Sequence, residues 1–394
     1  MKFDLRPRLL LLSFAHFSTD AYSSFFSPLL PLLVHRLHLS LTQVGSLVAF
    51  AAISSSFAQP LYGWVSDRLH RPWFVAFGPM VAAIFLSSIG LAPSYGALVA
   101  LLMIGGMGVA AFHPQAAVLA SEQGTSRSLA MSIFVTGGTL GFALGPLFAV
   151  SVAGRFGIER TWLAAIPGLL VAVLLTSWFA RVTPRARHLG GRPALGELRP
   201  VLRPLALLYL AVVCRSAVSY GFMTFLPIHL HARGYSLSAG GGLTTAYLAL
   251  GALGGFMGGW LADRYGGRRV VAISFLGATP LYFGFLFLPA PWNLVSLICG
   301  SLVLQGSLPV NVVLGQELSP RHSSTISSLL MGAAWGLGAL LIGPIGVLAD
   351  HRGLHVALEV LACMAPLGLV CAWSLPRGVA ARPTELVPSA AGGK

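Results

Sequence analysis

The chain has 394 residues, of which 56% are hydrophobic and only 9% are charged, and its mean hydropathy is +0.80. Soluble domains carry about 25% charged residues, so the composition excludes an ordinary soluble protein and predicts an all-α membrane protein. The net charge of +14 would also suit a nucleic-acid-binding protein, and the positions of the basic residues decide between these two classes.

Apolar stretches of about 20 residues recur along the chain, and each is long enough to cross a hydrocarbon core of about 30 Å as a helix. We therefore predict a multi-pass protein of the inner (cytoplasmic) cell membrane, with the lipid bilayer as its surroundings. Its twelve transmembrane helices are predicted at 9–34, 42–64, 73–91, 96–121, 128–153, 160–181, 204–231, 238–261, 270–289, 292–315, 324–349 and 355–375.

The lysines and arginines collect in alternate connecting segments. The other connections hold only Arg36, Arg155, Arg160, Arg233 and Arg352, while Arg215 lies inside a predicted helix. Lysine and arginine are enriched in cytoplasmic loops, so we expect both termini in the cytoplasm. The net positive charge is thus explained by lysines and arginines on the cytoplasmic side of the membrane, and we expect no nucleic-acid partner.

The sequence repeats at a displacement of about 196 residues. Gly63-Trp-Val-Ser-Asp67-Arg68 recurs as Gly259-Trp-Leu-Ala-Asp263-Arg264, and Pro114 to Glu122 resembles Pro309 to Glu317. Repeated halves with a substrate site between them are typical of transporters. We predict an N-terminal six-helix bundle at 1–181, a cytoplasmic linker at 182–203 and a C-terminal six-helix bundle with a short tail at 204–394. The two six-helix halves pack against each other within one chain, so we expect a monomer.

Asp20 lies near the middle of the first predicted helix, one turn beyond His16. The i, i+4 spacing places the imidazole and the carboxylate on one helix face. Ionisable groups inside a membrane are costly and usually functional. We predict proton coupling at Asp20 and His16; the alternative is that Asp20 only anchors helix packing through hydrogen bonds.

Two further ionisable residues lie within predicted helices. His113 precedes Pro114, which can bend its helix, and Arg215 matches Thr19 in the repeat, at a depth like that of Asp20. An arginine's planar fork suits carboxylates and phosphonates, so Arg215 is predicted to bind an anionic substrate or to be a counter-ion of Asp20. The alternatives are a buried structural histidine and a permanent ion pair.

Neutral polar and aromatic side chains inside the predicted helices complete the candidate substrate site, because such groups orient ligands in apolar cavities. Each of them alone is equally well explained by packing. The candidates are Tyr22, Gln59, Tyr220, Gln305 and Asn311.

Gly63 to Arg71 resembles the signature turn between helices 2 and 3 of the major facilitator superfamily, and the second copy at 259–269 strengthens the resemblance. Within that superfamily the chain resembles the fosmidomycin resistance family of drug exporters, through His16-Phe-Ser-Thr-Asp20, Phe112-His113-Pro114 and Ala130-Met131-Ser132. The glycine run ending in Gly145-Pro146 is similar to a helix-5 motif of antiporters, although Leu147-Phe148-Ala149 replaces its small residues.

The resemblance implies the major facilitator fold and a cytoplasmic gate of charged residues that pair when that side closes. The alternative is that these charges only set topology and are solvated. The predicted gating residues are Asp67, Arg68, Arg71, Glu122, Arg127, Asp263, Arg264, Glu317 and Arg321.

The resulting prediction is a proton-coupled antiporter that exports a small drug-like or organic-anion substrate such as fosmidomycin by alternating access. The alternative is a proton-coupled uptake symporter for an organic anion. No G-x-x-x-x-G-K-[ST], H-E-x-x-H or G-x-S-x-G sequence occurs, so we expect neither ATP hydrolysis nor another enzyme activity. We also expect no cofactor and no metal ion, although several histidines lie at predicted outer helix ends.

Overall fold

The computed structural model describes residues 7–66, 72–123, 127–179, 199–319, 322, 326–327 and 329–376. Within these residues every regular element is a helix. Eleven stretches are long and apolar enough to cross a membrane, from Leu41–Ser66 to Leu354–Trp373. This agrees with the all-α membrane protein predicted from composition.

The helices of the N-terminal half are short at its beginning and longer after residue 95. A π-helix, Ile53–Phe57, separates α3 from α4, and 3₁₀ turns at Ser88–Leu91 and Ile158–Ala164 follow α5 and precede α8. The helices are α1 (Pro7–Ser23), α2 (Phe26–Leu37), α3 (Leu41–Ala52), α4 (Gln59–Ser66), α5 (Trp73–Ser87), α6 (Tyr95–Ser121), α7 (Arg127–Phe156) and α8 (Ala165–Phe179).

The C-terminal half begins with three long uninterrupted helices, and a second π-helix, Leu329–Ala333, precedes α14. The helices are α9 (Leu202–Ala232), α10 (Leu237–Tyr265), α11 (Gly267–Phe287), α12 (Trp292–Gln305), α13 (Leu308–Leu318), α14 (Ala334–Leu340), α15 (Ile342–Arg352) and α16 (Leu354–Trp373).

The first predicted span is interrupted. The sequence predicts one helix over 9–34, whereas α1 ends at Ser23 and α2 begins at Phe26. Pro28 has no N–H with which to continue the α-helical ladder. The Ser23 hydroxyl bonds the Thr19 carbonyl at 3.1 Å and the Ser24 hydroxyl bonds the Ala21 carbonyl at 3.0 Å, so these serines compete with the backbone for its acceptors.

The two halves of the chain contact each other at the end of the molecule that the charge pattern assigns to the outside. There α3 packs along α15, α7 packs along α10, and α2 packs against α9. The Ser27 hydroxyl in α2 donates to the Met223 carbonyl in α9, which joins the halves between adjacent backbones. The structure is therefore closed at its predicted outer end.

Close approach of α1 and α7 fixes the part of the N-terminal half that carries the candidate proton site. A Cβ atom on Gly137 would collide with the backbone of Ser13, and one on Gly141 with the carbonyl group of Phe17. Only glycine permits this separation, because small residues let helix backbones approach closely in membranes.

We expect Gly141→Ala to lower the temperature of thermal unfolding, because forcing a methyl group into a packed site costs about 1–3 kcal/mol. Gly154→Ala is the matched control: it lies in the same helix, and its added Cβ meets nothing within 4 Å. Alanine favours helix over glycine, so the control should unfold at or slightly above the wild-type temperature. Equal unfolding temperatures for both variants would contradict the importance of this crossing.

Candidate functional site

Three ionisable side chains meet inside the N-terminal half. The His16 Nε2 atom lies 3.2 Å from Asp20 Oδ2, and the His113 Nε2 atom lies 3.0 Å from Asp20 Oδ1. The two histidine Nε2 atoms are 3.1 Å apart. The i, i+4 pair predicted in α1 is thus formed, and α6 adds His113 to it. We call these three residues the triad.

The imidazole of His16 is held from several sides. Its Nδ1 lies 2.8 Å from the Phe134 carbonyl oxygen, which can only accept, so Nδ1 carries a proton. The Phe134 ring stacks on the imidazole with centroids 4.1 Å apart. A neutral His16 therefore presents the lone pair of its Nε2 atom to the rest of the triad.

These contacts show where the triad can hold a proton. With His16 neutral, His113 Nε2 faces two acceptors, His16 Nε2 and Asp20 Oδ1, so it carries an N–H, which donates to Asp20 Oδ1 at 3.0 Å. The remaining contact joins the His16 Nε2 lone pair to an Asp20 carboxylate oxygen. Two acceptors at 3.2 Å repel each other unless a proton lies between them. One proton at this contact, on either atom, makes it a hydrogen bond.

The triad is also the one group in the described ranges whose donors could hold a metal ion, since its three ligand atoms lie within 4.8 Å of one another. Two imidazoles and a carboxylate form a known transition-metal ligand set. Here the three side chains already make direct hydrogen-bond contacts, which a proton satisfies without parting them. Gly138 packs directly against the triad: a Cβ atom at this position would collide with the side chains of His16 and Asp20.

Arg215 lies in α9 of the C-terminal half and is 2% exposed. Its Nη1 atom donates to Gln305 Oε1 at 2.9 Å, and its Nη2 atom donates to Ser216 Oγ at 3.0 Å. The guanidinium carbon lies 5.0 Å from the centre of the Trp335 ring. No carboxylate of the described residues pairs with Arg215, and its Nε–H has no partner there. Among the residues that the structure describes, Arg215 is therefore a buried cation without a counter-ion.

The other polar candidates of the C-terminal half differ in their surroundings. Gln305 uses its carbonyl oxygen to orient Arg215. Asn311 is buried, and neither its amide nitrogen nor its carbonyl oxygen has a hydrogen-bond partner among the described residues. Tyr220 interacts electrostatically with both Arg215 and Asp20. Of the neutral candidates, it is the one that approaches charged groups of both halves.

Tyr22 and Gln59 make their hydrogen bonds within the N-terminal half. The Tyr22 hydroxyl donates to the Ala164 carbonyl at 2.6 Å and accepts from the Gly168 amide at 3.0 Å, so it joins α1 to the start of α8. Gln59 donates to the Ser55 carbonyl at 2.9 Å, next to the first π-helix. These contacts fit the packing alternative that the sequence left open, and a role of either side chain in substrate binding stays a prediction.

Asp20 and Arg215 form separate clusters. Within the described residues each has partners from its own half, and no ion pair joins them. The counter-ion role considered for Arg215 is therefore absent in this conformation. Two cavities, of about 330 and 250 Å³, lie elsewhere: one is lined by Pro7, Arg8, Gln123 and Trp178, and the other by Pro31, Val34, His35, Ile228, His231 and Ala232.

The predicted gating charges are only partly visible. Asp67, Arg68, Arg71, Arg321 and the side chain of Arg127 lie outside the described residues. Glu122, Asp263, Arg264 and Glu317 are exposed, and no ion pair joins any of them to another described residue. Arg264 instead lies over the Trp260 ring, 4.5 Å from its centre.

Sequence reasoning missed three residues that position the charged groups. Phe134 holds His16 through its carbonyl and its ring, and Ser216 and Trp335 contact Arg215. Phe134 follows Ala130-Met131-Ser132, one of the stretches that carried the family resemblance, so that stretch was the available signal. Nothing in the sequence distinguished Trp335 from the other tryptophans.

Curated relatives match the chain along most of its length. It is 29% identical over 384 residues to an uncharacterized MFS-type transporter, YfnC, of Bacillus subtilis (strain 168), covering 94% of this chain and 93% of that protein. It is 27% identical over 369 residues to the fosmidomycin resistance protein of Escherichia coli (strain K12), covering 91% and 90%. The predicted resemblance to the fosmidomycin resistance family is thereby confirmed.

The fold matches solved transporters as well. A bacterial homologue of the human lysosomal transporter Spinster, in an inward-facing and occupied conformation, superposes with a TM-score of 0.78 at 19% identity, covering 93% of this chain and 95% of that chain. At that identity the match concerns the fold alone. A family model for the Major Facilitator Superfamily matches residues 12–344. The chain therefore belongs to the major facilitator superfamily.

Proposed function

We propose that this transporter is a proton-coupled antiporter that exports a small organic anion. The observation that carries the proposal is the contact between His16 Nε2 and Asp20 Oδ2, at 3.2 Å, which is favourable only with a proton between the two atoms. One proton at this contact can be taken up and released without rearranging the groups around it. The triad lies within predicted membrane-spanning helices, where ionisable groups commonly form proton relays.

The anionic character of the substrate is supported by Arg215. A buried cation without a carboxylate partner is unfavourable unless another charge compensates it, and an anionic substrate supplies that charge. The unpartnered Nε–H and the Nη2 atom of a guanidinium present a fork that fits two oxygens of a carboxylate or phosphonate. The name of the fosmidomycin resistance protein, a relative at 27% identity, makes phosphonates the first class to test.

Because Arg215 and Asp20 lie in separate clusters, coupling of substrate binding to proton binding through a change of conformation is favoured over coupling by direct contact. An anion next to a bare carboxylate would raise the carboxylate's affinity for a proton, so the two would bind together, as in a symporter. Here the triad and the Arg215 cluster belong to different halves, and within the described residues no hydrogen bond or ion pair joins Asp20 to Arg215. We infer that each site binds its ligand separately and that rocking of the halves exchanges them.

The proposal includes the arrangement in the membrane. Twelve spans form two six-helix bundles, 1–181 and 204–394, joined by the cytoplasmic linker 182–203, in a monomer of the inner membrane with both termini in the cytoplasm. The interrupted pair α1 and α2 supplies the span that adds to the eleven long apolar stretches. The exposed charges Glu122, Asp263, Arg264 and Glu317 are proposed to pair when the cytoplasmic side closes, with the other predicted gating residues.

The test is transport in liposomes that contain a pH-sensitive dye and the purified protein. A gradient of fosmidomycin is imposed, and the direction of proton movement is recorded. We expect protons to move opposite to the ligand. Movement of protons with the ligand would replace antiport by the uptake symporter. Ligand movement without protons would overturn the coupling, and no movement of fosmidomycin or of related phosphonates would overturn the substrate class.

A further inference from the structure

A carboxylate of the C-terminal half binds the beginning of a helix in the N-terminal half. Asp350 lies near the end of α15. Its Oδ1 accepts from the Leu41 amide at 2.8 Å, and its Oδ2 accepts from the Thr42 amide at 2.7 Å and from the Thr42 hydroxyl at 2.6 Å. All three contacts cross between the halves. Leu41 and Thr42 are the first two residues of α3.

These amides are the ones that α3 cannot satisfy by itself. The first four N–H groups of an α-helix have no acceptor within the helix. Ser40 caps the helix by accepting from the Gln43 amide at 3.1 Å, and the Gln43 side chain accepts from the Ser40 amide at 3.0 Å. Asp350 takes the amides that remain, and a negative charge is favourable at the positive end of the helix dipole.

The contact requires the outer ends of the two halves to touch. A Cβ on Gly45 would collide with the Ile342 carbonyl, and a Cβ on Gly346 would collide with the Leu41 carbonyl. The backbones of α3 and α15 are therefore in direct contact beside Asp350. If the outer ends separate, the carboxylate must leave both amides. Its contacts are solvent-exposed, so water can replace them at little cost.

The repeat shows that the fold does not require this carboxylate. At the displacement of 196 residues, Gly241 corresponds to Gly45, and Val150 to Gly346; these residues form the crossing of α10 and α7. The residue that corresponds to Asp350 is Gly154. Its position has open space, and α10 is capped only by Ser236, which accepts from the Ala239 amide at 3.2 Å. Of the two equivalent helix crossings, the one between α3 and α15 has this carboxylate and the one between α10 and α7 does not.

We propose that Asp350 is a positioning residue of the transport cycle, which holds the outer side closed by binding the first amides of α3 and releases them when the outer side opens. The role rests on the alternating access of the proposed function, but it depends on neither the substrate nor proton coupling. Asp350 makes no contact with the triad or with Arg215 in the described structure, so it acts only on the equilibrium between the two conformations.

The test measures the distance between the outer ends by electron spin resonance, without ligand. Spin labels are placed at Arg160→Cys and Arg233→Cys, exposed outer positions of the two halves, after the four native cysteines are replaced by alanine. Asparagine loses the charge that strengthens these hydrogen bonds, and exposed contacts contribute modestly, so Asp350→Asn should raise the ratio of open to closed populations about fivefold. Asp350→Ala should raise it further.

Glu359→Gln is the matched control, because it removes an outer carboxylate whose partner, His355, is in its own helix. It should leave the distances unchanged. Unchanged distances in Asp350→Asn, or an equal shift in Glu359→Gln, would overturn the proposal. If the Asp350 variants fail to fold, Gly154→Asp tests the mechanism instead. It places a carboxylate at the equivalent crossing of α7 and α10 and should shift the population toward the closed form. No shift would count against the mechanism.

Discussion

Replacing Asp20 by asparagine is expected to reduce ligand-driven proton movement to the rate of protein-free liposomes. The asparagine amide has the shape of the carboxyl group. Its oxygen can accept from His113 Nε2, and its NH₂ can donate to the His16 Nε2 lone pair, the atom that faces Asp20 at 3.2 Å. Asp20→Asn therefore keeps the hydrogen bonding of the protonated triad and removes only the capacity to release the proton. The measurement is the dye response under a fosmidomycin gradient.

The variant should still bind the ligand and exchange it for itself, because Arg215 and its neighbours are unchanged. Glu359→Gln provides a control with the same chemistry: its partner His355 is also four residues away, at 3.3 Å, but the pair is only partly buried. Proton coupling should persist in that variant. If Asp20→Asn drove protons at the wild-type rate, the coupling group would have to lie elsewhere; if ligand exchange were lost as well, Asp20 would be structural.

The sequence was sufficient for the class of fold because lipid imposes a simple rule. Each apolar stretch of about 20 residues is a span when no water is available to its backbone, and nearly all predicted spans recur in the structure. The interruption after Ser23 was less visible. Its causes, Pro28 and two serine hydroxyls, appear in the sequence as features that membrane helices usually tolerate, so only their combination at one turn breaks the helix.

The candidate site could be predicted within one helix but not between helices. The spacing of His16 and Asp20 fixes their common face, and the structure forms that pair. The contact of His113 with Asp20 depends on how α1 and α6 pack, and the acceptor for His16 Nδ1 is a backbone carbonyl, which no side-chain pattern reveals. Repeat symmetry placed Arg215 at the depth of Asp20, but its partners, Gln305, Ser216 and Trp335, belong to its own half.

The charged residues predicted on the cytoplasmic side are clear in the sequence, but their pairing is not. Their clustering in both copies of the repeat is clear in the sequence, yet pairing across a gate is a property of one conformation. The structure is closed at its predicted outer end, where Asp350 joins the halves. The exposure of Asp263 and Glu317 fits a conformation in which the predicted cytoplasmic side is open and these charges do not pair. Asp350 itself has no counterpart in the other copy of the repeat. A search guided by symmetry alone therefore passes over it.

Arg215→Ala is expected to weaken the binding of a phosphonate or carboxylate ligand by about thirtyfold or more, since truncating one member of a buried charged contact costs about 2–5 kcal/mol. Arg215→Lys keeps the charge but loses the planar fork that Gln305 Oε1 and Ser216 Oγ orient, so it should recover only part of the affinity. The measurement is the dissociation constant for fosmidomycin, by calorimetry on purified protein in detergent.

Arg203→Ala is the matched control, because Arg203 lies in the same helix but is exposed near its beginning. Its loss should leave the affinity unchanged and shows whether removing any positive charge from α9 matters. Thermal unfolding of each variant separates lost binding from lost folding. If Arg215→Ala bound the anion as tightly as the wild type, the uncompensated cation would belong to the packing with Trp335, and the substrate class would have to be sought among neutral amphiphiles.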